Sequence, residues 1–243
     1  MHPVRQHSNT RSGFALIVVL SGLAVLTALF AVTSAIFLAR LQASHSSASL
    51  VATNHYNHET LLYVLRNAPP PSPQDQVVSM QVQLGGKIFR IELQDTGGMI
   101  DLNTAAPDLI ERLAGYLSLP PNALDRFRAW RRTPYRLLRT SDFLRITGAP
   151  RELEDRLAQV ATVFSGRRGI APNVAPQEIV EMFLGQGSSR EMLAAEIGEA
   201  MISAPSGVNF LVSVEDTGTG QQWLAGAVHL PPQEQSRRIL WLR

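Results

Sequence analysis

The chain has 243 residues, a formal net charge of +2 and no cysteine. The lack of cysteine excludes disulfide bonds, thiolate metal sites and cysteine nucleophiles, and the near balance of charge gives no indication of a nucleic-acid partner. The sequence also lacks the G-x-S-x-G, H-E-x-x-H and P-loop motifs, so we expect that the chain is not an enzyme.

The first predicted element is a membrane span. Residues 14–39 form a run of 26 positions without a charged side chain, and about 20 helical residues cross a hydrocarbon core of roughly 30 Å. Arg5 and Arg11 precede this run without any acidic residue, whereas only Arg40 follows closely. The positive-inside rule therefore predicts a single pass with the N-terminus in the cytoplasm.

A short polar leader ends at Gly13, and the uncharged run begins at once with Phe14. This junction resembles the class III signal of type IV pilins and type II secretion pseudopilins. The resemblance implies that prepilin peptidase cuts after Gly13 and that the new N-terminal residue, Phe14, is methylated. An ordinary signal anchor is the alternative, because a cleaved secretory signal has a shorter apolar core of about 7–15 residues.

Val18 is the fifth residue after the implied cut, where most members of that family carry glutamate. In the family this glutamate is thought to meet the N-terminal ammonium of the neighbouring subunit, which compensates a buried carboxylate. The large minor pseudopilin, general secretion pathway protein K, typically lacks it. The resemblance therefore points to the protein K family.

The helix is predicted to continue beyond the span. Residues 41–67 contain neither proline nor glycine, and the proline-rich residues 69–73 follow, so we expect the helix to end near Asn67. Apolar residues then alternate with polar ones on both sides of Gly85-Gly86, which predicts a β-hairpin. With a second strand-rich block over residues 209–242, we expect one antiparallel sheet packed on the helix.

Helical signals dominate residues 99–205. Pro107 fits a first helical turn, and Ser188 with Glu191 has capping-box spacing. The Leu-Asn-Thr-Ala motif that contains Asn103 and the Asn-x-Ala-Pro motif at Asn173 resemble protein K along its periplasmic length.

The predicted fold class is α+β: a pilin-like long N-terminal transmembrane helix, a small antiparallel sheet and an inserted all-helical domain. The predicted divisions are a prepilin leader (1–13), the transmembrane and periplasmic helix (14–67), the sheet (74–98 and 206–243) and the inserted domain (99–205).

A DNA-binding function is the competing interpretation. Residues 102–149 also resemble the helix-hairpin-helix modules of membrane-anchored competence receptors, whose glycine-rich hairpins hold phosphate through backbone N–H groups. The first hairpin here, residues 115–121, has one glycine and ends in two prolines, and the second, residues 147–150, is also incomplete. An electrostatic argument remains, because the segment contains Arg126, Arg128, Arg131, Arg132, Arg136 and Arg139.

Two groups of side chains are candidate metal ligands. His55, His58 and Glu59 can share one helix face, although a solvated surface is the simpler interpretation. Glu215 and Asp216 precede a glycine-rich turn and suggest calcium, but a dense D-x-D loop is missing. We therefore expect no cofactor, and a structural calcium ion stays open without a clear motif.

The resemblance implies a structural minor pseudopilin of the type II protein secretion system that caps the pseudopilus tip. It implies the minor pseudopilins I and J and prepilin peptidase as partners. We expect no specific nucleic acid, because the hairpins lack paired glycines and prolines occupy donor positions. The expected location is the bacterial inner membrane, with the C-terminal domain in the periplasm.

Overall fold

The computed structural model describes the backbone of residues 10–69 and 77–242, and the side chains of residues 19–37, 55–69 and 77–241. The chain divides into two compact units, Met1–Asn54 and His55–Arg243, and the second is called the body below. The fold class is α+β, with an N-terminal apolar helix and an antiparallel sheet, as predicted.

One helix, α1, runs over Thr10–Asn67 and is 58 residues long. It begins inside the predicted leader. Its end at Asn67 agrees with the prediction, because a proline-rich segment cannot continue a helical hydrogen-bond ladder.

The body contains a five-stranded sheet whose neighbouring strands are all antiparallel. Its strands are β1 (Val77–Leu84), β2 (Lys87–Asp95), β5 (Asn209–Asp216), β6 (Gln221–His229) and β7 (Arg238–Leu242), in the spatial order β1-β2-β5-β6-β7. The predicted hairpin is confirmed: Gly85 and Gly86 have φ angles of 56° and 80°, and Leu84 pairs with Lys87. Glycine suits this turn because both positions require positive φ.

The sheet packs on the C-terminal end of α1. Two buried residues of the helix, Leu61 and Val64, and Ala68 just after its end share one core with the alternate residues of β2 and β5 that face them. Those sheet residues are Phe89, Ile91, Leu93, Phe210, Val212 and Val214. Burial of this helical face explains why the end of α1 is fixed to the sheet.

Two polar contacts reinforce that packing. The Arg237 guanidinium donates to the carbonyl oxygens of Leu65 (3.1 Å) and Ala68 (3.3 Å), at the end of α1 where carbonyl groups lack helical partners. The indole N–H of Trp223 donates to Asn57 Oδ1 at 2.6 Å.

The chain between β2 and β5 forms an insertion with its own hydrophobic core. Its helices are α2 (Pro107–Tyr116), α3 (Pro121–Arg131), α4 (Thr140–Thr147), α5 (Glu154–Val160), α6 (Gln177–Leu184) and α7 (Arg190–Glu196). Three of the largest buried side chains in this core are Phe127, Phe143 and Leu109.

The prediction of an all-helical insertion is wrong. Two short strands, β3 (Ile100–Asp101) and β4 (Ala161–Thr162), pair in parallel within it. Strands of two residues are too short to show an alternating pattern. The predicted capping box at Ser188 is also wrong, because α7 begins at Arg190 and its N-cap is Ser189.

Asp95, the last residue of β2, ties both ends of the insertion to the sheet. Its buried carboxylate accepts hydrogen bonds from the backbone N–H groups of Gly97 (2.6 Å), Ser206 (2.9 Å) and Gly207 (2.8 Å). These residues lie on the outgoing and the returning chain. We call this junction the neck.

The neck tolerates no side chain at Gly98. A Cβ atom there would meet the carbonyl oxygen of Val174, whereas nothing lies within 4 Å of a Cβ at Gly115 in α2. We expect Gly98→Ala to lower the free energy of unfolding by about 1–3 kcal/mol through overpacking. The matched variant Gly115→Ala should raise it by roughly 0.5–1 kcal/mol, because alanine favours a helix.

Urea unfolding of the full chain in detergent measures both effects. The chain's three tryptophans, Trp130, Trp223 and Trp241, all lie in the body and supply the fluorescence signal. Equal stability of the two variants would contradict the steric account of the neck.

Candidate functional site

The segment Val19–Phe37 of α1 is long and apolar enough to cross a membrane, with a mean hydropathy of 2.2. Its large apolar side chains are exposed within its unit, including Leu23 (64%), Leu26 (69%) and Phe30 (73%). The hydroxyl groups of Thr27 and Thr33 donate to the carbonyl oxygens of Leu23 and Leu29, four residues earlier. Such internal pairing is what a hydrocarbon environment demands of polar groups.

The implied processing and assembly residues lie in the first turns of α1. Gly13, Phe14 and Val18 have helical backbone, and their side chains lie outside the described residues. The cut after Gly13 and the role of Val18 therefore stay predictions.

A buried hub at the start of the insertion involves the Leu-Asn-Thr-Ala motif. The Asp101 carboxylate accepts hydrogen bonds from the backbone N–H groups of Asn103 (2.8 Å) and Gly166 (2.7 Å) and from the Ser165 hydroxyl (3.1 Å). The Thr104 hydroxyl donates to the Arg167 carbonyl oxygen at 2.6 Å. The motif therefore joins two distant loops of the insertion.

Asn103 extends this hub to the loop between α3 and α4. Its amide nitrogen donates to the carbonyl oxygens of Leu137 (3.1 Å) and Val163 (3.4 Å), and its Oδ1 accepts from the Leu137 N–H at 2.8 Å. Asn173, the asparagine of the Asn-x-Ala-Pro motif, is exposed. The two similar motifs therefore have different structural roles.

Several of the arginines that kept the DNA-binding interpretation open have protein partners. Arg131 donates to the carbonyl oxygens of Ala105 (3.0 Å) and Asn103 (3.3 Å), and burial lowers the pKa of its guanidinium. Arg126 donates to the Thr147 carbonyl oxygen.

Arg128 forms ion pairs with Glu111 (2.5 Å) and Asp125 (3.3 Å). It therefore joins α2 to α3 by charge. Three further arginines, Arg132, Arg136 and Arg139, are exposed and have no ion pair within the described residues.

Both hairpins of the insertion begin at a helix end that turns through a residue with positive φ. After α2 the chain turns through Ser118, whose φ is 53°, and α3 begins directly at Pro121. After α4, Gly148 adopts φ 66°, and the N–H of Ala149 donates to the Leu144 carbonyl oxygen at 2.9 Å. This backbone N–H group of the second hairpin is therefore hydrogen-bonded to the preceding helix and is not available to a phosphate.

The candidate metal ligands are engaged with other groups or separated. Asp216 pairs with Lys87 at 3.0 Å, and this hydrogen bond lowers the pKa of the Asp216 carboxyl. Glu215 pairs with Arg90 at 2.9 Å across the sheet. On α1, His55 contacts Glu59 at 3.1 Å.

His58, the third predicted ligand on α1, is exposed. Among the described side chains, no group of three or more histidine, aspartate or glutamate residues is arranged to hold a metal ion.

Sequence reasoning missed two of the buried carboxylates, Asp95 and Asp101. Asp95 stands two residues before Gly97-Gly98, and that pair of glycines is the signal that marks a close backbone approach. Asp101 stands two residues before Asn103, the spacing of a local side-chain turn.

Comparisons with protein-family models and with curated proteins give no match to this chain.

The hub predicts different roles for two adjacent arginines. Arg131→Met should lower the free energy of unfolding by roughly 1–3 kcal/mol, because it leaves two carbonyl oxygens without their charged donor. Arg132→Met removes an exposed charge without an ion pair and should change stability by less than about 0.5 kcal/mol.

Urea unfolding followed by tryptophan fluorescence compares the two variants at equal net charge. If Arg132→Met cost as much as Arg131→Met, the structural role assigned to Arg131 would be wrong.

Proposed function

We propose that the chain is a minor pseudopilin of the type II secretion system, of the protein K kind, which caps the pseudopilus tip in the bacterial inner membrane. It is a structural subunit and not an enzyme. Its partners are the minor pseudopilins I and J, and prepilin peptidase processes it.

The architecture of α1 is the observation that carries this proposal. Two separate segments of this helix are apolar: Leu61 and Val64, with the adjacent Ala68, belong to the sheet core, whereas the apolar residues of Val19–Phe37 are exposed within their own unit. A helix with one apolar segment for lipid and one for a sheet is pilin-like. The polar leader that ends at Gly13 adds the processing signal.

Val18 and the insertion support a position at the tip. Without a carboxylate at residue 18, the chain has no charge there to receive the N-terminal ammonium of a further subunit, and an unpaired ammonium in an apolar setting would cost several kcal/mol. The insertion over roughly 100 residues, 99–205, would in addition obstruct a subunit stacked beyond it.

The DNA-receptor alternative has weaker support. Arg126, Arg128 and Arg131 are bound to protein groups, and prolines replace donors in the first hairpin. Micromolar or tighter binding of duplex DNA by the full chain at physiological salt would favour this alternative.

Processing is the first test. Prepilin peptidase should remove residues 1–13, so that Phe14 becomes the N-terminus, and intact mass with N-terminal sequencing measures this in strains with active or inactive peptidase. Gly13→Val should block the cut by placing a branched side chain at the scissile bond. Gly22→Val lies inside the span, has no atom within 4 Å of the new Cβ, and should leave the cut intact.

An unchanged N-terminus in the strain with active peptidase would contradict processing and favour the ordinary signal anchor.

Position in the pseudopilus is the second test. Because the chain has no cysteine, single cysteines at Leu23, Leu26 or Phe30 give defined cross-links, and their i, i+3, i+7 spacing places them on one helix face. We expect cross-links to the minor pseudopilins I and J and few to the major pseudopilin. Val32, on the opposite face and 57% exposed, is the matched control for direction.

Stoichiometric incorporation along the pili, with cross-links mainly to the major pseudopilin, would refute the tip position.

A further inference from the structure

The loop of residues 132–139, between α3 and α4, carries the two most exposed large apolar side chains of the body. Leu138 is 76% exposed and Tyr135 is 72% exposed. The next in the described part of the body, Met192, is 57% exposed. Two such side chains three residues apart are a concentrated apolar exposure.

This exposure is built into the fold. Leu137, between the two, is buried, and its N–H and C=O groups are both bound by the Asn103 side chain. At the start of the loop, the Thr133 hydroxyl donates to the Trp130 carbonyl oxygen at 2.7 Å. The loop is therefore held in place while Tyr135 and Leu138 face solvent.

The same loop carries positive charge that no carboxylate among the described side chains neutralises. Arg132, Arg136 and Arg139 are exposed and have no ion pair in the described part of the chain. The nearest acidic residue in sequence, Asp142, accepts from the backbone N–H of Arg139 (3.2 Å) and pairs with Arg145 (3.0 Å).

Such a combination matches the surface of an anionic bilayer. Tyrosine favours the lipid headgroup region because its ring is apolar and its hydroxyl is polar, leucine inserts below it, and arginine binds phosphate. A polybasic segment also gains from the negative surface potential of anionic lipids.

The chain itself supplies a membrane to which the body is tethered. Between Phe37, the end of the apolar segment, and His55, the first residue of the body, lie 17 residues. As a helix they measure about 25 Å, and a folded body of this size has a radius of gyration of about 16 Å. A tether of this length keeps the body at high effective concentration near the bilayer, so a weak contact suffices.

We propose that the loop of residues 132–139 is a docking site for the anionic surface of the membrane in which the chain is anchored. The proposal rests on the membrane anchor and is independent of processing and of the tip position.

The test uses the full chain in nanodiscs of phosphatidylcholine, with or without about 30% phosphatidylglycerol. A fluorophore on Pro134→Cys, which keeps Tyr135 and Leu138 intact, reports contact through quenching by spin-labelled headgroups. Thr219→Cys is the control, because the turn of residues 216–220 lies at the end of β5 away from the neck. We expect quenching at residue 134 about threefold stronger with phosphatidylglycerol, and loss of this difference at about 0.5 M salt.

Two triple variants distinguish binding through the loop from non-specific electrostatic attraction between the body and the anionic bilayer. Arg132→Gln, Arg136→Gln and Arg139→Gln together should abolish the phosphatidylglycerol dependence while tryptophan fluorescence stays unchanged. The matched triple variant removes the same total charge from exposed arginines that form ion pairs: Arg128→Gln, Arg145→Gln and Arg151→Gln. This variant should keep the phosphatidylglycerol dependence.

Three results would overturn the proposal. One is quenching at residue 134 no stronger than at residue 219, and another is an equal effect of the two triple variants. The third is protection of residue 134 only after the minor pseudopilins are added, which would make the loop a protein-docking surface.

Discussion

The neck depends on one buried carboxylate. The chain leaves the sheet at Asp95, the end of β2, and re-enters it at Asn209, the start of the neighbouring strand β5. The insertion therefore begins and ends at the same end of the sheet. Three backbone N–H groups at this point have no partner in a sheet or helix, and Asp95 satisfies them all. An unsatisfied buried donor costs about 1–3 kcal/mol, so a side chain without acceptors here would unpair three groups at once. The position thus favours an acidic residue on energetic grounds.

The close approach at the neck also fixes how the insertion lies on the sheet. Gly97 and Gly98 let the outgoing chain pass against the backbone of residues 174 and 205–206, where any Cβ would collide. Just beyond, Met99 packs with Leu211 and Ala227 on the sheet face opposite α1, and Phe164 joins them. The amide of Asn209 donates to the Phe164 carbonyl oxygen at 2.6 Å. Its Oδ1 therefore faces His229 Nδ1 at 2.7 Å, which makes that nitrogen the donor, and burial with the nearby Arg238 lowers the pKa of His229.

The structural features that the sequence predicts are those set by residues close together in the chain, whereas features set by distant residues are not predicted. The end of α1 before Pro69 and the turn at Gly85-Gly86 follow from local chemistry, since proline and positive φ act within a few residues. The pairing of β3 with β4 joins residues about 60 apart, and no local pattern specifies it. The α7 start fails for a different reason: Ser188 and Ser189 are adjacent, and only the fold decides which one is the N-cap. The hydroxyl of Ser189 hydrogen-bonds Glu191 and lowers its pKa, so the serine–glutamate contact forms one residue later than the spacing suggests.

Asn103 shows that a motif can be recognised in the sequence while its structural role is not predicted. In the sequence, Leu-Asn-Thr-Ala is a mark of resemblance to protein K or, in the DNA-binding interpretation, the start of a segment that resembles helix-hairpin-helix modules. In the fold, the Asn103 side chain uses both amide groups on Leu137 and Val163. Those bonds use both N–H donors of the amide and one of the two lone pairs of its oxygen. They also hold Leu137, which is buried and is flanked by the exposed Tyr135 and Leu138. The apolar side chains available to a partner therefore lie in the loop that Asn103 binds and not in the motif itself.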